Sequence, residues 1–122
     1  MKPRVLLADD HALLVGAFEK LLSGEFEVVG SENDGRALVA AAAKLQPDVI
    51  VLDVNLPNVD GLKACRQVTQ ANPEMKVIVF TAMNDPDVRQ RCFEAGASAF
   101  VSKMAGDGDL LSTVKRLWGD AK

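Results

Sequence analysis

The sequence predicts an α/β fold in which helices cover both faces of a doubly wound, five-stranded parallel sheet. Two observations carry this prediction. Five short apolar runs of strand length alternate with segments whose apolar residues recur at helical spacing. Strands that alternate with helices pair in parallel, and the nearly universal right-handed crossover leaves a doubly wound sheet as the economical arrangement.

The strands are recognised as short runs rich in aliphatic and β-branched residues. Continuous apolar runs such as Val5-Leu6-Leu7-Ala8 suit strands that are buried on both faces of a sheet. The predicted strands are at about 4–8, 26–31, 48–53, 76–81 and 99–102.

The helices are predicted between these strands. Three segments have a clear apolar face, formed by Leu14, Ala17, Phe18, Leu21 and Leu22, by Leu38, Ala41, Ala42 and Leu45, and by Leu110, Leu111, Val114, Leu117 and Trp118. The segments at about 61–71 and 87–95 are less apolar. Turn-forming residues stand at the proposed boundaries: Gly24, Pro47, Pro57, Pro73, Pro86 and Gly96.

Length and composition indicate one globular domain, predicted at 1–119, with 120–122 as the start of a linker or tail. The 122 residues are 48% hydrophobic and 25% charged, and the net charge of −3 provides no basic field for nucleic acid or an anionic membrane. No apolar stretch approaches the roughly 20 residues of a membrane span. The start of the chain has no signal-peptide pattern, and Cys65 and Cys92 are in no metal-binding spacing, so we expect a cytoplasmic protein with reduced thiols.

Polar residues stand where four of the predicted strands end. Asp9 and Asp10 follow the first strand, Asp53 ends the third, Thr81 ends the fourth and Lys103 follows the fifth. In doubly wound sheets, sites form beyond the carboxyl ends of the strands. The topology therefore predicts one pocket containing three acids, a hydroxyl and an ammonium.

Three neighbouring carboxylates repel one another, and the single ammonium of Lys103 leaves the pocket negative. An all-oxygen, water-accessible set of ligands suits Mg²⁺. A bound metal, Lys103 and Thr81 could neutralise the oxygens of a phosphoryl group while a carboxylate attacks phosphorus.

The chain resembles the receiver domain of two-component response regulators over nearly its whole length. The motifs that carry the resemblance are Asp9-Asp10, Asp53-Val54-Asn55-Leu56-Pro57-Asn58-Val59-Asp60-Gly61, Thr81-Ala82 and Ser102-Lys103. The resemblance implies a flavodoxin-like (βα)5 fold with strand order 2-1-3-4-5. It also implies that Asp53 accepts a phosphoryl group from a sensor histidine kinase, a phosphotransfer protein or a small phosphodonor.

The same resemblance implies the remaining roles in the site. Asp10 and Asp53 would bind Mg²⁺ directly, Asp9 would assist through water, and Asn55 would contribute its backbone carbonyl. The resemblance also assigns the phosphoryl contacts and the switch: Lys103 would pair with the phosphoryl oxygens, Thr81 would donate to them after phosphorylation, and Phe100 would be the switch aromatic. Such a domain is not an enzyme in the usual sense, although it promotes its own phosphorylation and dephosphorylation.

Each of these residues also has a purely structural interpretation. Asp9 or Asp10 could cap the following helix, Lys103 could be a solvated surface lysine, Thr81 could satisfy a backbone group, and Phe100 could be a core aromatic. Asp60-Gly61 is interpreted as a loop-to-helix transition.

Three alternative functions follow from the same residues. A phosphatase of the haloacid-dehalogenase type needs a second acid two residues after its nucleophile, where this chain has Asn55. A second alternative is a receiver that no longer accepts a phosphoryl group, but all five site positions are intact in this sequence. A stand-alone receiver would signal by protein–protein binding alone.

The output is expected to be a helix-turn-helix transcription factor outside this sequence. Asp10-His11-Ala12-Leu13-Leu14 resembles the opening of NarL/FixJ-type receivers, and Lys103 is followed by Met104, not by the Pro-Phe of the OmpR type. The receiver itself would contact neither DNA nor membrane and could form a homodimer on phosphorylation.

Overall fold

The computed structural model describes residues 3–9, 26–56, 60–82, 85–103 and 107–120. Within this part of the chain, five parallel strands form one sheet in the order β2-β1-β3-β4-β5. The strands are β1 (Arg4–Ala8), β2 (Glu27–Glu32), β3 (Val49–Leu52), β4 (Lys76–Thr81) and β5 (Ala99–Ser102). The predicted fold class, strand order and strand positions are confirmed, with strand ends that differ by at most one residue. Asp10 and the predicted first helix around 14–22 lie outside the described residues.

Helices connect the strands at the predicted places. They are α1 (Gly35–Leu45), α2 (Gly61–Ala71), α3 (Pro86–Glu94) and α4 (Asp107–Asp120). No helix in the described part of the chain is long and apolar enough to cross a membrane.

The first three helices begin with the same device, an aspartate that caps the first turn. The side chain of Asp34 accepts from the Ala37 N–H at 2.7 Å, and that of Asp60 accepts from the Lys63 N–H at 2.9 Å. Asp85 caps α3 in the same way, and Pro86 follows it at the start of the helix. These short acids satisfy amide groups that have no partner within the helix. The predicted loop-to-helix role of Asp60 is thus confirmed.

Alternate side chains of the strands enter two separate cores, one on each face of the sheet. One core packs against α1, α2 and α3 and includes Leu6, Ile50, Val79 and Cys92. The other packs against α4 and includes Leu7, Val51, Phe80 and Leu110. Because both faces are covered, the polar groups that end the strands are held at the rim of a water-poor interior.

Candidate functional site

Strand register places Asp9 and Asp53 side by side at the carboxyl edge of the sheet. Ala8 pairs with Leu52 across β1 and β3, so the next residue of each strand is one of the two acids. The Asp53 N–H donates to the Ala8 carbonyl at 2.9 Å. Both acids are buried, with 8% of Asp9 and 3% of Asp53 exposed. Such burial of two carboxylates requires a compensating charge.

Lys103 supplies that charge. Its Nζ donates to Asp9 Oδ2 at 2.6 Å and to Asp53 Oδ2 at 2.7 Å, and only 14% of its side chain is exposed. Burial alone would lower the pKa of Lys103, but the hydrogen bonds and charges of Asp53 and Asp9 outweigh burial and hold the pKa above its ordinary 10.5. Lys103 is therefore an ammonium at neutral pH, and the surface-lysine interpretation is wrong.

The turn after β3 fixes the other oxygen of Asp53. Asp53 Oδ1 accepts from the Asn55 N–H at 3.1 Å, and the Val54 carbonyl accepts from the Gly61 N–H at 2.9 Å. A Cβ on Gly61 would lie 2.3 Å from the Asp53 carbonyl oxygen and 2.4 Å from Val54 Cα. Only glycine therefore allows α2 to begin against the strand end that carries Asp53. Gly61 was predicted to lie at a loop-to-helix transition, but its sequence pattern did not indicate this close approach.

Thr81 and Phe100 lie on the face of the sheet that packs against α1–α3. Thr81 is fully buried and pairs with Ser102, the residue before Lys103. Phe100 pairs with Val79, which lies two residues before Thr81 on β4. The half-buried ring of Phe100 packs against the core on this face. The two predicted switch residues are thus diagonal neighbours on adjacent strands.

Magnesium was expected at this edge, and the described carboxylates suit it. Mg²⁺ in proteins is typically held by one or two carboxylates and keeps several waters, and the oxygens of Asp9 and Asp53 converge on one point, now occupied by Lys103 Nζ. No group of three or more His, Cys, Asp or Glu side chains placed to hold a metal occurs among the described residues, which do not include Asp10.

A sequence model of the response regulator receiver domain family matches residues 5–115. The chain belongs to this family. It is 34% identical over 116 residues to the transcriptional regulatory protein DegU of Brevibacillus brevis, covering 93% of this chain and 49% of DegU. It is 31% identical over 114 residues to the response regulator GacA of Pseudomonas viridiflava, covering 92% of this chain and 53% of GacA.

The solved structures agree with the curated relatives. The signal receiver domain of the putative response regulator NarL from Mycobacterium tuberculosis superposes with a TM-score of 0.89 at 28% identity, covering 94% of each chain. The chain is therefore a receiver domain of the NarL/FixJ type, as the sequence resemblance implied. It spans about half the length of the curated relatives that it matches.

Proposed function

We propose that this receiver accepts a phosphoryl group on Asp53 in a Mg²⁺-dependent reaction. The donor would be a phosphohistidine of a sensor kinase or phosphotransfer protein, or a small acyl phosphate. The observation that supports the proposal most is the single ammonium of Lys103, which bridges two buried carboxylates at the sheet edge. An ion pair with a purely structural role would need only one acid. A site that binds a dianionic phosphoryl group needs a cation to pair with it and neighbouring acids to hold a metal.

In the proposed reaction, an oxygen of Asp53 attacks phosphorus while the bond from phosphorus to the donor breaks. The imidazole of a phosphohistidine leaves and takes up a proton; with acetyl phosphate, acetate leaves. Asn55 donates its N–H to Asp53 Oδ1, so this oxygen is held in place while Oδ2 faces Lys103. Lys103 would then transfer its hydrogen bond from the carboxylate to the phosphoryl oxygens, where negative charge gathers.

Magnesium would be held by Asp9, Asp10, Asp53 and the carbonyl of Asn55, and when bound it would neutralise phosphoryl oxygens as a Lewis acid. Self-dephosphorylation belongs to the same proposal, with water attacking the phosphoryl group within this site.

The proposed switch uses Thr81 and Phe100. The phosphoryl group adds about 1.5 to 2 negative charges at the strand edge. The Thr81 hydroxyl would donate to it, and Phe100, its diagonal neighbour, would follow into the vacated space. Thr81→Ala should therefore accept phosphate yet give much smaller NMR shifts of the amides in 88–95, and Thr81→Ser, which keeps the hydroxyl, should restore them. Undiminished shifts in Thr81→Ala would refute this switch.

The proposed output is transcription regulation by a helix-turn-helix domain, with homodimerisation of the phosphorylated receiver. The proposed location is the cytoplasm, with a sensor histidine kinase or phosphotransfer protein as the partner. Support comes from the names of the relatives and from their length, about twice that of this chain. A stand-alone receiver remains the second candidate, since the described domain buries its own core on both faces of the sheet.

The experiment that tests the chemistry is intact-mass spectrometry after incubation with acetyl phosphate and Mg²⁺. One phosphoryl adduct should form, and hydroxylamine should remove it, because an acyl phosphate is readily cleaved by nucleophiles. Asp53→Asn should form none. Asp48→Asn is the matched control, because Asp48 precedes β3 at the end opposite Asp53, and the amide oxygen of asparagine can still accept from the Arg4 N–H. An adduct that persists on Asp53→Asn would refute the assignment.

A further inference from the structure

We propose that Phe80 is a positioning residue for Lys103, acting through the face of its aromatic ring. The geometric part of this proposal stands on the structure alone. Its consequence for phosphoryl transfer rests on the proposed function of Asp53.

Strand order explains why Lys103 needs such support. β4 lies between β3 and β5, so a lysine at the end of β5 must extend past the end of β4 to reach Asp53, and past β3 to reach Asp9. Its hydrogen bonds span 50 and 94 residues of sequence. A lysine side chain has many rotamers, and holding one extended conformation over this span costs entropy.

Phe80 is the residue of β4 that this side chain passes. It belongs to the core on the α4 face, is only 2% exposed, and its ring centroid lies 5.9 Å from Lys103 Nζ. That distance is within the range in which an ammonium is attracted by the negative face of an aromatic ring. The attraction is stronger here than at an exposed site because the ammonium has given up most of its water.

Unlike the two carboxylates, the ring of Phe80 can attract the ammonium both before and after phosphorylation. Asp53 would change charge and hydrogen bonding when it is phosphorylated, whereas the face of Phe80 is unchanged throughout. Phe80 therefore keeps the ammonium at the strand edge while its hydrogen bonds pass from carboxylate to phosphoryl oxygens. An aliphatic residue could fill the same volume but would offer no charge attraction.

Fluorinated phenylalanines at position 80 separate this role from simple core packing. Fluorine changes the size of the ring little but progressively removes, and then reverses, the negative potential of its face. We expect the rate of Asp53 phosphorylation by acetyl phosphate to fall stepwise with the number of fluorines, by about 3- to 10-fold at pentafluorophenylalanine. The melting temperature should not fall in step. Phe26 is the matched control, because it is 3% exposed in the same core.

A rate that is indifferent to fluorination at position 80, or an equal fall when Phe26 is fluorinated, would overturn the proposal. NMR tests the geometry without phosphorylation: the ε-methylene protons of Lys103 should be shifted upfield by the ring current, and Phe80→Leu should abolish that shift. Unshifted protons in the wild-type protein would refute the contact. A wild-type protein that takes up no phosphoryl group would refute the proposed function instead, and the NMR comparison would still decide the contact.

Discussion

Removing the ammonium of Lys103 should be among the most costly single changes at this sheet edge. In Lys103→Met a side chain of similar length replaces the one that donates to Asp9 at 2.6 Å and to Asp53 at 2.7 Å. The two acceptor oxygens are then at most about 5 Å apart, and at an effective dielectric of ~20 two unit charges at that separation repel by roughly 3 kcal/mol. Removal of one partner from a buried ion pair typically costs about 3–5 kcal/mol, which agrees with that value.

The assay is urea unfolding at pH 7 in the presence of EDTA. Lys63→Met is the matched control, because Lys63 is exposed on α2, and it should change the free energy of unfolding by less than about 0.5 kcal/mol. Adding Asp53→Asn to Lys103→Met should restore much of the loss, since one carboxylate then remains. Replacing EDTA with millimolar Mg²⁺ should also reduce the loss, because a metal supplies charge where the ammonium was. If Lys103→Met costs no more than Lys63→Met, the interpretation of the bridge as a buried, charge-compensating contact is wrong.

Three further predictions concern two closely packed glycines and one buried thiol. Gly61→Ala should destabilise the domain by about 2 kcal/mol or more and slow phosphorylation, because its Cβ would meet the Asp53 carbonyl oxygen at 2.3 Å; wild-type stability and rate would contradict this. Gly96→Ala should lower the free energy of unfolding in urea by about 2–5 kcal/mol, since Gly96 has φ of 107° and a Cβ there would meet Thr69 Oγ1 at 2.4 Å. Adding Thr69→Ala should recover only the loss caused by this clash and not the loss caused by the backbone conformation. Burial raises the pKa of Cys65 from 9.0 to about 12, so the thiol ionises at lower pH in the unfolded chain than in the folded one. The free energy of unfolding should therefore fall by about 1.4 kcal/mol per pH unit between pH 9.0 and about 12, and Cys65→Ala should reduce this slope.

The strands were predictable because the local pattern and the tertiary environment agree. Val49–Leu52 is apolar throughout, as a central strand covered on both faces must be, and all four residues are buried. The predicted strand was 48–53, one residue too long at each end. The added residues are aspartates whose side chains serve other groups: Asp48 accepts from the Arg4 N–H, and Asp53 accepts from Lys103. The apolar pattern of the sequence does not show at which residue strand pairing ends and such side-chain contacts begin.

The sequence indicated which residues meet at the site but not how they meet. Strand-end position was enough to bring Asp9, Asp53 and Lys103 together, because parallel strands share one carboxyl edge. That a single nitrogen bonds both acids depends on the reach of one side chain across β4. The steric need for glycine at position 61 likewise depends on a contact with β3. The available signal was a glycine at the first position of a helix, where proline is the residue usually favoured.

The way α3 is held gives the proposed switch a direction. At its C-terminal end the Ala95 carbonyl accepts from Thr69 Oγ1 at 3.0 Å and from Cys65 Sγ at 3.6 Å, which ties this end to α2. Within α3 only Cys92 is buried, and it too is near the C-terminal end. The N-terminal turn is capped locally by Asp85, and its one apolar contact with the core comes from Val88, which is only half-buried. Segments with few buried contacts are the least costly to displace. A movement that begins at Thr81 would therefore reach α3 at its weakly packed end, and the helix would swing about Ala95 rather than shift as a whole.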